Sequence, residues 1–399
     1  MINTLSYPDV WREYLEYKMS CEYTSEKDIK RLSCFIEQRD YLTAVQVIKN
    51  GGTFAPPKKS EISKIGTNKK RVVYTYADDE NMVLKLLNYL LQKKYDHIFA
   101  DNLYSFRKQR GVYDAVKKMT RHPNINNMWG YKIDISNYFN SVPVDKMIDV
   151  LKITLVDEPD TLRFLKSLLT NRTVRYNGSY IEESKGIMAG TSVSNFLANL
   201  YLSHIDHYFQ SKNILYARYS DDIIVFDSTE DKLNDDVKII NNFLKEAGLN
   251  INPEKENYYS PREKWVFLGI SYCDGIIDVA PVSVEKLKAK MRRKTRALTR
   301  WAARKNVSGE NAAKAFIRIF NRKLFDNTSE HELTWSRWYF PLINTTQSLK
   351  IIDEYSQSCI RYLVTGKRTK SAYNCRYKDM KKLGYITLVN RYYNDKKEG

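Results

Sequence analysis

The sequence predicts an α+β fold, with a split βαβ sheet at its centre, helices before it and a basic helical region after it. Two observations predict this. Between residues 129 and 250, short β-prone runs and helix-spaced runs follow in the order strand, helices, hairpin, helix. From Val282 onward, apolar residues recur at helical intervals in a strongly basic background. Three regions follow: a helical extension at 1–52, a central α+β region at 53–280, and a basic helical region at 281–399.

Each element has a local reason. Trp11, Tyr14, Leu15 and Tyr17, then Leu32, Phe35, Ile36, Tyr41, Val45 and Ile48, space out as helices that stop at Gly51-Gly52. Pro56-Pro57 and a Lys-rich loop lead to a strand at 71–76. A helix is expected at 78–94, its first turn acidic as the helix dipole favours. Further helices are expected at 111–119, 143–153 and 159–170, with a strand at 129–135 between the first two. Asn177-Gly178 marks a hairpin within 173–181. The loop from Gly186 to Gly190 opens a helix at 194–209, and a later helix at 235–247 ends at Gly248. Short strands are expected at 265–271 and 276–279.

The most informative stretch is Tyr219-Ser220-Asp221-Asp222. It lies between the β-prone runs 214–218 and 223–226, so two adjacent aspartates sit at a hairpin tip. Adjacent carboxylates repel unless a cation joins them, and a divalent metal does this well. A third carboxylate, Asp134, ends the strand at 129–135. Three such carboxylates suit two Mg²⁺ ions and phosphoryl transfer. A similar tetrapeptide, Tyr76-Ala77-Asp78-Asp79, is followed by helical spacing and reads as a helix N-terminus.

Bulk properties narrow the field. With 43% hydrophobic and 28% charged residues, the chain reads as soluble and globular. No apolar run is long enough for a membrane span, and the N-terminus does not read as a signal peptide. Five scattered Cys suggest reduced thiols in a cytoplasmic protein rather than a zinc site. The net charge of +18 is clustered: residues 286–305 hold ten Lys or Arg and no acid. Within it, Lys286, Lys290, Arg292, Arg293, Arg296 and Arg300 are the candidate contacts to a nucleic-acid backbone. The 30 Tyr offer rings for stacking on bases.

Seven stretches, taken in order, resemble the bacterial reverse transcriptases, the branch related to group II intron, retron and defence-associated enzymes. They are Lys58 to Asp79; Tyr104-Ser105-Phe106-Arg107 with Asp114-Ala115-Val116; Asp134-Ile135-Ser136-Asn137-Tyr138-Phe139; Gly186 to Leu202; Asp221-Asp222; Gly248-Leu249-Asn250 with Lys255; and Phe267-Leu268-Gly269. The resemblance implies a right-hand polymerase with fingers, a split βαβ palm and a helical thumb. It implies RNA-directed DNA synthesis from dNTPs, with an RNA template or non-coding RNA and a DNA product as partners. Asp134, Asp221 and Asp222 would be catalytic, holding two Mg²⁺ with the Ile135 carbonyl as a further ligand. Lys69, Arg71, Arg107, Phe139, Ala189, Gly190 and Lys255 would surround the nucleotide. Of these, Phe139 would exclude a ribose 2′-hydroxyl and Lys255 would protonate pyrophosphate. Phe267, Leu268 and Gly269 would grip the primer.

Two departures stand out. Ala189-Gly190 replaces the family's "Q-G", and Ser194-Asn195 its "S-P". The missing glutamine keeps untemplated or protein-primed synthesis open as an alternative, and a catalytically silent RNA-binding protein is a third. No second acidic constellation suggests a nuclease, which by analogy favours a role in antiphage defence with a dedicated RNA. Oligomeric state is left open.

Overall fold

The computed structural model describes residues 1–21, 24–63, 70–325 and 334–398. The chain forms two compact units, Met1–Glu263 and Lys264–Gly399. The boundary lies ahead of the two short strands expected at the end of the central region, because the three strands that form there pair only with one another.

The first unit begins with α1 (Pro8–Ser20), α2 (Glu26–Glu37) and α3 (Tyr41–Lys49). Trp11 is fully buried, stacks on Tyr41 at 4.7 Å and donates its indole N–H to the Leu5 carbonyl. These helices therefore share the core of this unit rather than forming a separate extension. Strands β1 (Lys58–Ser63) and β2 (Lys70–Thr75) pair antiparallel. The first was expected as a loop, because Lys, Ser and Glu carry little β propensity; pairing with the apolar β2 draws it into a sheet. Helix α4 (Asp78–Tyr95) starts at the acidic pair Asp78-Asp79 and buries Val83, Leu84, Leu86, Leu87 and Leu91. Helix α5 (Val112–Thr120) follows.

Strand β3 (Trp129–Asp134) leads to α6 (Tyr138–Ser141), α7 (Val144–Thr154) and α8 (Pro159–Thr170). Strands β4 (Thr173–Tyr176) and β5 (Ser179–Glu182) form the hairpin at Asn177-Gly178, both of positive φ, and complete a sheet of order β2-β1-β4-β5. The single helix expected at 194–209 is two, α9 (Ser194–Tyr201) and α10 (Ser203–Ser211), separated at Leu202. Strands β6 (Leu215–Tyr219) and β7 (Asp222–Asp227) form the aspartate hairpin. Helix α11 (Glu230–Glu246) starts five residues earlier than its apolar pattern suggests, because Thr229 accepts a hydrogen bond from the Lys232 N–H and caps a polar first turn.

After the 3₁₀ turn Pro253–Lys255, β8 (Asn257–Tyr259) closes a second sheet of order β6-β7-β3-β8. Numbered within this sheet alone, its strands run 2-3-1-4, the ferredoxin-like βαββαβ arrangement. The inner strands β3 and β7 are buried through Tyr131, Ile133, Ile223, Ile224, Val225 and Phe226. Gly130 lets them close: a Cβ there would lie 2.5 Å from the Phe226 ring. Helix α11 packs on β3 and β7, while α5 and α10 pack on β6.

The second unit opens with a meander, β9 (Trp265–Phe267), β10 (Ile270–Cys273) and β11 (Ile276–Val279). Leu268-Gly269 turns the first pair, so the strand expected at 265–271 is two. Helices α12 (Pro281–Lys305), α13 (Gly309–Leu324), α14 (Trp335–Tyr339), α15 (Gln347–Thr365), α16 (Tyr377–Lys382) and α17 (Leu388–Glu398) follow. Helix α15 packs against α12, α13 and α17. Its buried Asp353 accepts hydrogen bonds from the Leu388 and Val389 N–H groups and so caps α17. No helix among the described residues is long and apolar enough to cross a membrane.

Candidate active site

The register of the central sheet assembles the three aspartates. Asp134, the last residue of β3, lies opposite Asp222, the first residue of β7. Asp221 occupies the turn between β6 and β7, and its carbonyl accepts a hydrogen bond from the Ile135 N–H at 3.0 Å. Ser220, the other turn residue, has φ of 61°, a left-handed conformation that costs a non-glycine residue energy unless its surroundings hold it.

The carboxylates repel one another. Burial, together with the charges of Asp134 and Asp222, pushes the Asp221 carboxyl up to about 6. Two lysines offset this repulsion. Lys255 Nζ lies 2.6 Å from Asp134 Oδ2, and Lys132 Nζ lies 2.7 Å from Asp222 Oδ1. Burial alone would lower the Lys255 pKa, but its hydrogen bond to Asp134 and the charges of the three aspartates raise it. Lys132 meets Asp222 Oδ1 as an ion pair without hydrogen-bond geometry, so that buried oxygen has no hydrogen-bond partner.

Among the described residues, no three His, Cys, Asp or Glu side chains are gathered tightly enough to chelate a metal as they stand. The chemistry of the donors nonetheless fits a hard divalent cation: the groups are oxygen-only and mutually repelling, and Asp222 Oδ1 is buried with an ion pair but no hydrogen bond. Asp134, Asp221, Asp222 and the Ile135 carbonyl are the residues that would hold it.

Behind the hairpin lies a buried polar network. Arg218 and Asp206 are both fully buried and paired, through Nη2 at 2.5 Å and Nε at 2.8 Å. Arg218 Nη1 donates to the Ser220 carbonyl at 3.3 Å, and Nη2 to the Asn199 carbonyl at 3.0 Å. Ser105 Oγ accepts from the Ser220 N–H at 2.9 Å and donates to Asn199 Oδ1 at 2.8 Å. The strained turn is thus held on both its donor and its acceptor sides.

The candidate nucleotide residues divide. Arg71 is exposed on β2. Lys69 lies outside the described residues. Phe139 is half-buried, edge-on to Phe106 at 6.3 Å. Ala189 and Gly190 lie against β2: the Tyr74 N–H donates to the Ala189 carbonyl at 2.7 Å. Gly190 has φ of +101°, and a Cβ there would sit 3.0 Å from the Tyr74 carbonyl. Asn140 bridges the same two segments, donating to the Val72 carbonyl and accepting from the Ala189 N–H.

Arg107 is placed differently from the expectation. Its guanidinium is engaged by Asp96 at 2.8 and 3.0 Å and by the Ala100 carbonyl, over the Phe99 ring. It braces its own loop and has no side-chain group left for a nucleotide.

In the second unit, Phe267 is buried, while Leu268 and Gly269 form the two-residue turn with φ of 50° and 82°. On α12, Val284, Leu287, Met291, Thr295 and Leu298 face the core. Lys286, Lys290, Arg292, Arg293, Arg296 and Arg300 are all exposed, and Lys286, Arg293, Arg296 and Arg300 form a stripe opposite that core face.

Lys132, Asn140 and the Arg218–Asp206 pair were not singled out from sequence. For Lys132 a signal existed: strand alternation puts it on the same face as Asp134. A charged Arg218 inside a β-prone run was a second, since such a residue is buried only when paired.

Residues 57–272 match the domain family described as reverse transcriptase (RNA-dependent DNA polymerase). The COX1/OXI3 intron 2 protein of Saccharomyces cerevisiae is 24% identical over 278 residues, covering 54% of this chain and 32% of that protein. The group II intron-encoded protein LtrA of Lactococcus lactis is 23% identical over 202 residues, covering 50% and 33%. The chain thus matches about a third of the length of these relatives. Among solved structures, apo telomerase from Candida tropicalis, truncated from its C-terminal domain, aligns at 14% identity. That alignment covers 61% of this chain and 60% of the other, with a TM-score of 0.44.

Proposed function

This chain belongs to the reverse transcriptase family, and from that premise we propose that it is an RNA-directed DNA polymerase. It adds dNTPs to a primer by phosphoryl transfer at Asp134, Asp221 and Asp222. The observation that carries the reading is the register of the central sheet, which sets Asp134 opposite Asp222 with Asp221 in the adjoining turn. Two Mg²⁺ ions, when bound there, supply Lewis-acid activation of the attacking hydroxyl and charge neutralisation at the phosphates.

The chain's own residues supply the rest. Arg71, with Lys69, neutralises the incoming triphosphate. Lys255, already beside Asp134, has the proton that departing pyrophosphate needs. Phe139 lies against the sugar and leaves no room for a 2′-hydroxyl. The turn Leu268-Gly269 with Phe267 grips the primer, and the exposed stripe of α12 follows the nucleic-acid backbone. In this reading the first unit supplies fingers and palm and the second the thumb and helical tail. RNA is the template or a dedicated non-coding partner, and DNA is the product.

The decisive variant is Asp221→Asn. It should lower nucleotide incorporation by more than about 10³-fold while circular dichroism and RNA affinity stay at wild-type values. Loss of incorporation in Asp78→Asn and Asp79→Asn, with Asp221→Asn active, would overturn the assignment.

A second reading, untemplated or protein-primed synthesis, is favoured by one observation. Ala189 stands where the family carries glutamine, and only its backbone is hydrogen-bonded, to Tyr74 and Asn140. Products made with and without an RNA of defined sequence decide between the two. The finer assignment, a cytoplasmic enzyme of antiphage defence working with its own non-coding RNA, rests on the resemblance to the bacterial branch. Sequencing the nucleic acid that co-purifies with the chain tests it: one abundant structured RNA supports it, and bulk cellular RNA opposes it.

A further inference from the structure

Within the second unit, α12, α15 and the 3₁₀ turn Lys370–Asn374 contribute to the wall of a cavity of about 600 Å³. That falls in the roughly 300–1,000 Å³ range of small-ligand sites. Its lining includes none of the three aspartates or the residues beside them. Four cations line it, Arg292, Arg361, Lys367 and Arg368, against one acid, the exposed Glu354.

Three of these cations meet tyrosines, and among the described residues none of the four is in an ion pair with a carboxylate. The Arg361 guanidinium lies over Tyr373 at 4.6 Å, and that of Arg368 over Tyr362 at 4.6 Å. Arg292 Nε donates to the Tyr355 hydroxyl at 3.2 Å. Arg361 Nη2 reaches Gln357 at 3.4 Å, but its Nε is buried without a hydrogen-bond partner. A buried guanidinium nitrogen left unsatisfied is costly, and it marks where an acceptor belongs. Tyr373 is 67% exposed, so one face of its ring lies under Arg361 and the other is open for stacking.

We propose that this cavity is a second nucleic-acid site, separate from the aspartates, that takes one nucleotide unit of a single strand. The phosphate sits against the Arg361, Arg368 and Lys367 side chains. Guanidinium groups form charge-assisted, often paired hydrogen bonds to phosphate oxygens. The base stacks on the open face of Tyr373, which tolerates any base because every base has a π-face. Arg292 belongs to α12, so a strand following the exposed basic stripe of that helix passes along the rim of the cavity. The assignment rests on this cavity alone and stands whether or not the aspartates perform the proposed chemistry.

The test uses the full chain and reads binding, not incorporation. Three probes are compared: a short 5′-phosphorylated oligothymidylate, thymidine 5′-monophosphate and inorganic phosphate. Tyr373→Ala, a neutral change at an exposed ring, should weaken oligothymidylate binding about tenfold without altering the melting temperature or the salt dependence. Lys367→Glu should weaken it further. An oligothymidylate carrying 5-bromodeoxyuridine should photocrosslink to Tyr373 or Tyr355. If thymidine monophosphate binds as tightly as the oligonucleotide and loses affinity in the same variants, the site still takes a nucleotide unit, with a free nucleotide as its source. Inorganic phosphate binding as tightly as either nucleotide would overturn the proposal. So would displacement of the oligonucleotide by oligoglutamate at equal charge, unchanged affinity in Tyr373→Ala, or crosslinks that fall only outside the cavity.

Discussion

Asp134 and Asp222 each hold a lysine, and the two contacts differ in kind. Lys255 makes a charge-assisted hydrogen bond to Asp134, while Lys132 only counters the charge of Asp222. Both ammonium groups stand where carboxylates crowd, so they keep the cluster tolerable in the absence of other cations. Phe139 is the residue whose role is most directly measurable. Phe139→Ala should raise incorporation of rNTPs relative to dNTPs by at least about tenfold while sparing most dNTP activity. A wild-type chain that already uses both equally would sink the steric reading. Asp236 on α11 offers a test of stability. It is buried, one carboxylate oxygen has no hydrogen-bond partner, and burial with the charges of Asp227 and Asp235 pushes it up to about 7. An unfolded aspartate titrates near 4. Between those values the folded state binds more protons than the unfolded, so stability falls as pH rises from about 4 to 7. Asp236→Asn should therefore raise the melting temperature at pH 8 by roughly 2–6 °C and change it little at pH 4. At this scale the aspartates were legible because their neighbours are strand-formers. The engagement of Arg107 by Asp96 was not, since an arginine's partner eleven residues away cannot be read from spacing alone.

The β6–β7 hairpin shows what an element requires beyond its own residues. Its turn places Ser220 in a left-handed conformation, and the support comes from its own Arg218, held by Asp206, and from Ser105 and Asn199 on two other segments. Arg218→Met would leave the buried Asp206 without a counter-charge, its one remaining side-chain partner the Tyr216 hydroxyl, a loss of about 3–5 kcal/mol. The double variant Arg218→Met with Asp206→Leu should recover most of that stability in urea unfolding. Its nucleotide incorporation should stay depressed, because the Ser220 and Asn199 carbonyls still lack their donor. Recovery of incorporation along with stability would show that the pair only fills the core. The sequence located the hairpin and most helices from periodicity and turn residues. It missed β1, which is drawn into the sheet by pairing with β2 and β4, and the first turn of α11, where the cap rather than the apolar pattern sets the start. The expected strand at 265–271 hid its turn because Leu268 is not a residue that advertises positive φ.

At the scale of the molecule, the net charge of +18 has a structural address. The apolar residues of α12 face the core of the second unit, and most of its lysines and arginines are exposed. Reversing Arg293 and Arg296 together should weaken binding of single-stranded RNA regardless of sequence. It should also reduce the slope of log affinity against log salt by about 1.5–2. An unchanged slope would make the stripe a solubility feature. The family motifs were legible because they are local in sequence; the long-range buried pairs were not, because nothing in a linear pattern joins residues that meet only in the fold. The central sheet carries a last consequence, for the order in which the chain is made. Strand β3 takes β7 on one side and β8 on the other, and residues 134–136 exchange backbone hydrogen bonds with 250–252. A chain emerging from the ribosome therefore carries Asp134 on an open strand edge until residues up to Tyr259 have followed it out. For that interval the exposed edge is a site for wrong pairing or chaperone capture, and the aspartate cluster is among the last parts of the first unit to become complete.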